Sequence, residues 1–433
     1  MADEKNWIRE AMFYHIYPLG FTGAPLRNEG EATAGGRILE VLDWIEHFKE
    51  LGINAIYFGP IFESVSHGYD TTDYYQTDSR LGSKEDFKKV FTALHENGIR
   101  VIVDGVFNHV GRKFFAFLDV QKNLEQSAYK DWFCNLNFSW QSPLGDSFSY
   151  ENWHGAAELV KLNLRNPAVC EHLLGAVGMW MDELGIDGLR LDAADCVDRE
   201  FFKQLHSFTK GKREDFWLMG EIIHGDYRVW ANDEMLDSVT NYECWKGIYS
   251  SHNDKNYFEI AYSLKRQFGQ GGLYENLCLY NFLDNHDVNR IGSLLKQREN
   301  LKNAYTLLYM MPGIPSIYYG SEWGIEGVKG QGMDADLPLR PKLDLEEMCA
   351  KETDLPAHIR ELAKIRQESD AVKYGAYDEV LVRNEQFVFA RRSGEQYKLI
   401  ALNLTDHAET LYFSYQGKEY EVLLGAYTSK IME

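Results

Sequence analysis

Short apolar runs of four or five residues alternate along most of this chain with longer stretches in which apolar positions recur every three or four residues. The first pattern predicts strands buried on both faces, the second amphipathic helices. Phe13-Tyr14-His15-Ile16-Tyr17 reads as a first strand, followed by a helix over 38–51. Asn54-Ala55-Ile56-Tyr57-Phe58 reads as a second, followed by a helix over 84–97 that Ser83 is placed to cap. Arg100-Val101-Ile102-Val103-Asp104 is the third. Further strands are predicted over 188–192, 217–221, 237–241, 278–284 and 316–319, with helices over 167–184, 199–209, 255–268, 299–310 and 356–368.

Strands that alternate with helices imply a parallel sheet, and this many repeats favour its closure into a (β/α)8 TIM barrel. The pattern assigns residues 1–110 and 167–370 to that barrel. Between the third strand and the next helix lies a long irregular insert, 111–166, and loops of that length inside a compact domain are usually functional. After about Ala371 the period changes to two. Val380-Leu381-Val382, Phe387-Val388-Phe389-Ala390, Leu399-Ile400-Ala401-Leu402 and Tyr420-Glu421-Val422-Leu423 predict a small antiparallel β domain over 371–433.

Composition narrows the class of partner. Among 433 residues, 45 Lys+Arg stand against 66 Asp+Glu, a formal charge of −21, which argues against nucleic acid or an anionic membrane. No apolar stretch is long enough to span a bilayer, and Met1-Ala2-Asp3-Glu4-Lys5-Asn6-Trp7 lacks the apolar core of a secretory signal. The six cysteines form no CxxC pair and read as reduced thiols, so a cytoplasmic location is expected. An aromatic content of 14% suits a protein that stacks sugar rings as well as one with a large core.

The candidate chemistry lies in acids that end apolar strands. Asp104 closes the third strand, Asp192 the fourth and Glu221 the fifth, and Asp287 follows the seventh. In a parallel barrel all four surround one mouth. Burying an acid costs several kcal/mol unless pairing or function compensates, so acids directly after apolar strands stand out from solvated ones. Two carboxylates flanking a glycosidic bond can hydrolyse it, one as nucleophile and one as proton donor, with retention when they lie ~5–5.5 Å apart. Arg190, two residues before Asp192, projects from the same strand face and is expected to keep Asp192 ionised. Glu221 sits between Trp217-Leu218-Met219-Gly220 and Ile222-Ile223, an apolar setting expected to raise its pKa for the acid role. His109 and His286, beside two of these strand ends, are placed to hydrogen-bond sugar hydroxyls.

Four segments, in order, carry a resemblance: Asp104-Gly105-Val106-Phe107-Asn108-His109, Gly188-Leu189-Arg190-Leu191-Asp192, Gly220-Glu221-Ile222 and Asn285-His286-Asp287. They resemble the α-amylase superfamily of glycoside hydrolases. The resemblance implies a (β/α)8 barrel, a B domain inserted after strand 3 and a C-terminal antiparallel β-sandwich. It implies Asp192 as nucleophile, Glu221 as acid/base and Asp287 as the third acid. It also implies Arg190 positioning Asp192, Asp104 behind that arginine, and His109, His286 and a stacking Tyr69 as substrate-binding residues. Ser66-His67-Gly68-Tyr69-Asp70-Thr71, Tyr150-Glu151-Asn152-Trp153 and Val160-Lys161-Leu162-Asn163 look like the cyclomaltodextrinase, maltogenic amylase and neopullulanase group.

The chain departs from that group in three places. Its barrel begins almost at once, without the group's extra N-terminal domain. Ile223 stands where a Trp usually follows Glu-Ile, and Asp195-Cys196 replaces a Lys-His pair common in α-amylases. Asn108 matches a residue that ligates structural calcium in many α-amylases, but the other ligands are not evident in the insert, and the chemistry requires no cofactor and no metal. The expected substrate is an α-glucan oligosaccharide or polysaccharide, whose α-1,4 bonds would be hydrolysed with retention. The alternatives are an α-glucan transglycosylase or isomerase using the same site, a metal-dependent enzyme on an unrelated barrel, and a carbohydrate-binding protein without catalysis. Chain-length preference and oligomeric state are not legible.

Overall fold

A computed structural model describes residues 7–30, 36–332 and 334–433. Its centre is an eight-stranded, all-parallel sheet. The strands are β1 (Phe13–Ile16), β2 (Ala55–Phe58), β3 (Arg100–Gly105), β4 (Gly188–Leu191), β5 (Trp217–Gly220), β6 (Ser238–Val239), β7 (Tyr280–Phe282) and β8 (Ile314–Tyr318). Neighbours run β6-β5-β4-β3-β2-β1-β8-β7, and a single parallel bridge, Thr240 to Tyr280, closes β6 onto β7. The result is the (β/α)8 barrel.

The period of two decides where each side chain goes. Outward positions such as Tyr14, Ile56, Val101, Val103, Leu189 and Leu218 join the large core shared with the surrounding helices. Inward positions Phe13, Ala55, Tyr57, Ile102, Trp217, Met219, Tyr280 and Ile314 form a second core that fills the barrel's lower half. Space there is tight: a Cβ on Gly188 would stand 2.5 Å from the Trp217 carbonyl oxygen. Two residues further along the same inward faces come Asp104 above Ile102, Arg190 above Gly188, and Glu221 above Met219. The alternation that buries apolar side chains at one end thus delivers charged ones to the other.

The helix predicted over 84–97 spans Lys84–Glu96 and starts on a capping box between Ser83 and Asp86. The one predicted over 38–51 is a 3-10 segment, Arg37–Trp44, running into Ile45–Glu50. A helix over Tyr242–Asn253 was not anticipated: its apolar side chains are interrupted by Lys246, Ser250 and Ser251, which blur the helical period.

The insert pairs His109–Gly111 with Ala156–Lys161, which in turn pairs with Asn152–Trp153. Arg112 grips Asp146 with both terminal nitrogens, at 2.6 and 2.8 Å, and the resulting hydrogen bonds hold the Asp146 carboxyl at about 2 against the upward pull of its burial. Beyond the barrel, strands Ala376–Val382, Gln386–Ser393, Gln396–Asn403 and Ser429–Met432 form one antiparallel sheet. The hairpin Glu409–Tyr415 with Lys418–Leu424 faces it across a core of Val388, Ala390, Leu399, Ala401, Leu411 and Val422, making a β-sandwich. One fully buried arginine of the sandwich ties it to the barrel: Arg391 donates to the Met310 carbonyl at the C-terminal end of helix Leu301–Met310, where Arg366 of the barrel's own helix Leu355–Glu368 donates to the neighbouring Tyr309 carbonyl. Among the described residues no helix is long and apolar enough to cross a membrane, and all six cysteines are free.

Candidate active site

One guanidinium organises the mouth of the barrel. Arg190, 3% exposed, sends Nη1 to Asp104 Oδ1 at 2.8 Å and to Asp192 Oδ1 at 2.9 Å, and Nη2 to Glu221 Oε2 at 2.7 Å. Asp104 lies deepest. Besides Arg190 it accepts from the hydroxyls of Tyr57 (2.7 Å) and Tyr69 (3.0 Å), so its oxygens are all committed to fixing Arg190 from behind. Asp192 keeps Oδ2 without a protein partner among the described residues.

Across the mouth Asp287 is held by Arg340 Nη2 at 2.8 Å and by His286 Nε2 at 3.0 Å. The His286 ring lies beside Tyr69 and Tyr17, with ring centroids 5.4 and 5.8 Å away and near-parallel planes. Its Nε2 also meets the Tyr69 hydroxyl in a very short contact. Arg340 stacks on the outer face of Tyr17 at 4.5 Å and donates Nε to the His286 carbonyl at 2.9 Å.

His109 is arranged differently from the expectation of a sugar-binding histidine. Its Nε2 meets the Tyr69 carbonyl at 3.1 Å and its Nδ1 meets Asn108 Nδ2 at 3.2 Å, so both ring nitrogens are used within the protein. Burial lowers its pKa to about 3 and keeps it neutral. It therefore braces the Tyr69 backbone, and it touches the Trp153 ring edge of the insert at 5.9 Å.

Burial drives the Asp192 carboxyl well above its ordinary range, and the nearby Arg190 only partly opposes this, while Glu221, Asp104 and Asp287 push further upward. A single guanidinium shared by Asp104, Asp192 and Glu221 does not neutralise all three. Asp287 goes the other way: despite burial, His286, Arg340 and Arg190 hold it well below the usual carboxylate range. Two arginines facing four carboxyls favour one retained proton in the cluster, which an acid-catalysed bond cleavage needs.

The structure thus gathers Asp104, Arg190, Asp192, Glu221, Asp287, His286 and Tyr69 around one mouth, with His109 one layer behind. Arg340, Tyr17, Tyr57, Tyr242 and Asn285 belong to the same cluster and were missed. Tyr57 is the inward residue at the end of β2 and was findable by strand parity. Arg340 follows a 3-10 turn, Leu337–Leu339, far from any strand end, and no periodic signal marks it. Calcium takes roughly six to eight oxygens, carboxylates among them. Asn108 offers one buried side-chain oxygen without a partner, its carbonyl is used by Leu162 N, and no group of three or more His, Cys, Asp or Glu side chains among the described residues is arranged to hold a metal.

This mouth, on this barrel, defines a class of glycoside hydrolase, and comparison with known proteins agrees. Residues 15–373 match the alpha amylase catalytic domain, and the chain belongs to the alpha-amylase family. It is 32% identical over 428 residues to a cyclomaltodextrinase of a Bacillus species, covering 94% of this chain and 74% of that one. It is 30% identical over 386 residues to the intracellular maltogenic amylase of Bacillus subtilis, covering 85% and 63%. The structure superposes on the cyclic alpha-maltosyl-(1→6)-maltose hydrolase of Arthrobacter globiformis, in complex with that sugar, with a TM-score of 0.86 and 26% identity over 98% of both chains.

Proposed function

We propose that this enzyme hydrolyses α-1,4-glucosidic bonds of malto-oligosaccharides with retention, through a covalent glycosyl-enzyme on Asp192. The observation that carries the reading is Arg190 spanning Asp192 and Glu221 with its two terminal nitrogens, which keeps two carboxyls together at the open end of the barrel. Asp192 Oδ2, free of partners, attacks the anomeric carbon while Oδ1 stays on Arg190. Glu221 gives its proton to the glycosidic oxygen as the C–O bond breaks, and the bonding electrons leave with that oxygen. A water then attacks the same carbon, Glu221 takes its proton, and Asp192 departs as carboxylate. Asp287, kept anionic by its partners, accepts hydrogen bonds from sugar hydroxyls and stabilises the oxocarbenium-like transition state. Tyr69 supplies a ring face beside it.

The relatives' names support malto-oligosaccharides, including cyclic ones, as the substrate class. The free thiols and the name of the Bacillus subtilis relative support a cytoplasmic location. The test is maltotriose hydrolysis followed by size and by anomer. Glucose and maltose are expected, with the newly formed reducing end in the α configuration. Longer oligosaccharides as the main products would make the enzyme a transglycosylase, and β-anomers would remove the covalent intermediate. Because no step needs a Lewis acid, dialysis against EDTA is expected to leave the maltotriose rate unchanged. A loss restored by calcium or another divalent ion would overturn that.

A further inference from the structure

The two oxygens of Glu221 are not equivalent, and their surroundings fix where its proton sits. Oε2 faces N–H donors alone: Arg190 Nη2 at 2.7 Å and the backbone N–H of Ala193 at 3.2 Å. Ala193 reaches that position through a left-handed backbone, with φ of 43°, costly for a residue with a Cβ. A hydrogen on Oε2 would point at two other hydrogens. Oε1 has a different neighbour, the Tyr242 hydroxyl at 3.3 Å.

The direction of that contact is fixed by a chain of partners. The backbone N–H groups of Asp287 and Val288 donate to Asn285 Oδ1 at 2.8 and 3.1 Å. They leave the Asn285 amide one orientation, in which Nδ2 donates to the Tyr242 oxygen at 3.0 Å. The Tyr242 oxygen is then occupied as an acceptor, and its hydrogen turns to Glu221 Oε1. Burial, with Glu221 and Asp287 adding to it, keeps this phenol protonated, so it remains a donor.

We propose that Asn285 and Tyr242 form a positioning relay that places the Glu221 proton on Oε1 and steadies that oxygen once the proton has left. The proposal rests on Glu221 being the acid/base. When Oε1–H protonates the glycosidic oxygen, the Tyr242 hydroxyl donates to the carboxylate that forms. When water attacks the glycosyl-enzyme, its proton returns to Oε1. No other group changes its protonation. Tyr242 and Asn285 touch Glu221 and each other, not the scissile bond, and are positioning residues.

The hydroxyl donates best to the ionised carboxyl, so its removal favours the protonated form of that side chain. Tyr242→Phe is expected to move the alkaline limb of the kcat/KM profile for maltotriose upward by about one pH unit and to lower its maximum about tenfold. For 4-nitrophenyl α-maltoside, whose phenolate leaves without full protonation, kcat/KM should stay within about twofold. Asn285→Asp keeps every ring in place but offers the Tyr242 hydroxyl an acceptor, drawing it from Glu221, and should shift the limb the same way. If one variant does not fold, the other decides. An unmoved limb, or equal loss on both substrates, overturns the relay, as does a neutron structure of the unmodified enzyme with the deuteron on Oε2. Wild-type maltotriose turnover by Glu221→Gln would instead remove the acid assignment itself. An inert Tyr242→Phe beside an inactive Glu221→Gln removes only the relay.

Discussion

Asp192→Asn is expected to lower kcat on maltotriose by on the order of 10⁴-fold or more, the scale of losing an essential nucleophile. The amide is nearly isosteric, and Arg190 Nη1, which meets Asp192 Oδ1 at 2.9 Å, still finds an oxygen there, so the barrel should fold and bind substrate. What disappears is the electron pair on Oδ2 that forms the bond to the anomeric carbon. Glu221→Gln should cost about 10² to 10⁴-fold on maltotriose, the usual worth of a general acid, and far less on an activated aryl maltoside in the first step. Its second step lacks a base to take the proton from water. The glycosyl-enzyme is therefore expected to accumulate, and intact-protein mass spectrometry should find a maltosyl adduct on the peptide carrying residue 192. A burst with no adduct, or an adduct on another residue, would contradict the assignment.

The barrel was legible because its strands are buried on both faces, which gives apolar runs that no surface element imitates. Strand parity then carried the acids: once Ile102 and Met219 point inward, Asp104 and Glu221 must. The parity rule stopped at the strand ends. Tyr242 opens a helix whose apolar period is broken, Asn285 and Arg340 lie in loops, and their roles depend on which loop crosses which. The setting of Asp192 was legible only in part. Sequence placed one cation beside one acid, whereas the fold gives the same guanidinium two further carboxyls and removes their water, and the desolvation outweighs the single attraction. His109 was read as a sugar-binding residue, and both its nitrogens meet protein partners in this structure.

Arg190→Met should therefore affect the folded state as well as the reaction. The thioether fills much of the same volume, but Asp104, Asp192 and Glu221 lose their shared donor while staying out of water. Breaking a buried ion pair from one side costs about 3–5 kcal/mol, and this arginine has three partners. The deficit should depend on pH with a definite sign. Without the guanidinium, burial and the repulsion of its neighbours raise the Asp192 carboxyl still further above its value in the unfolded chain. A carboxyl raised in the folded state contributes stability that is complete below its unfolded pKa of about 4 and lost as pH rises through the folded value. The variant should be weakest at neutral and alkaline pH and approach the native enzyme as the medium is acidified. Asp287 acts oppositely in both proteins: its depressed pKa gives stability above about pH 4 that fades as pH falls through the folded value, which bends the native curve downward in acid. Urea unfolding between about pH 4.5 and 8 measures both curves. Convergence toward the acid end is the expected result, and curves that stay parallel across the range would mean that the Arg190 guanidinium does not set the ionisation of Asp192.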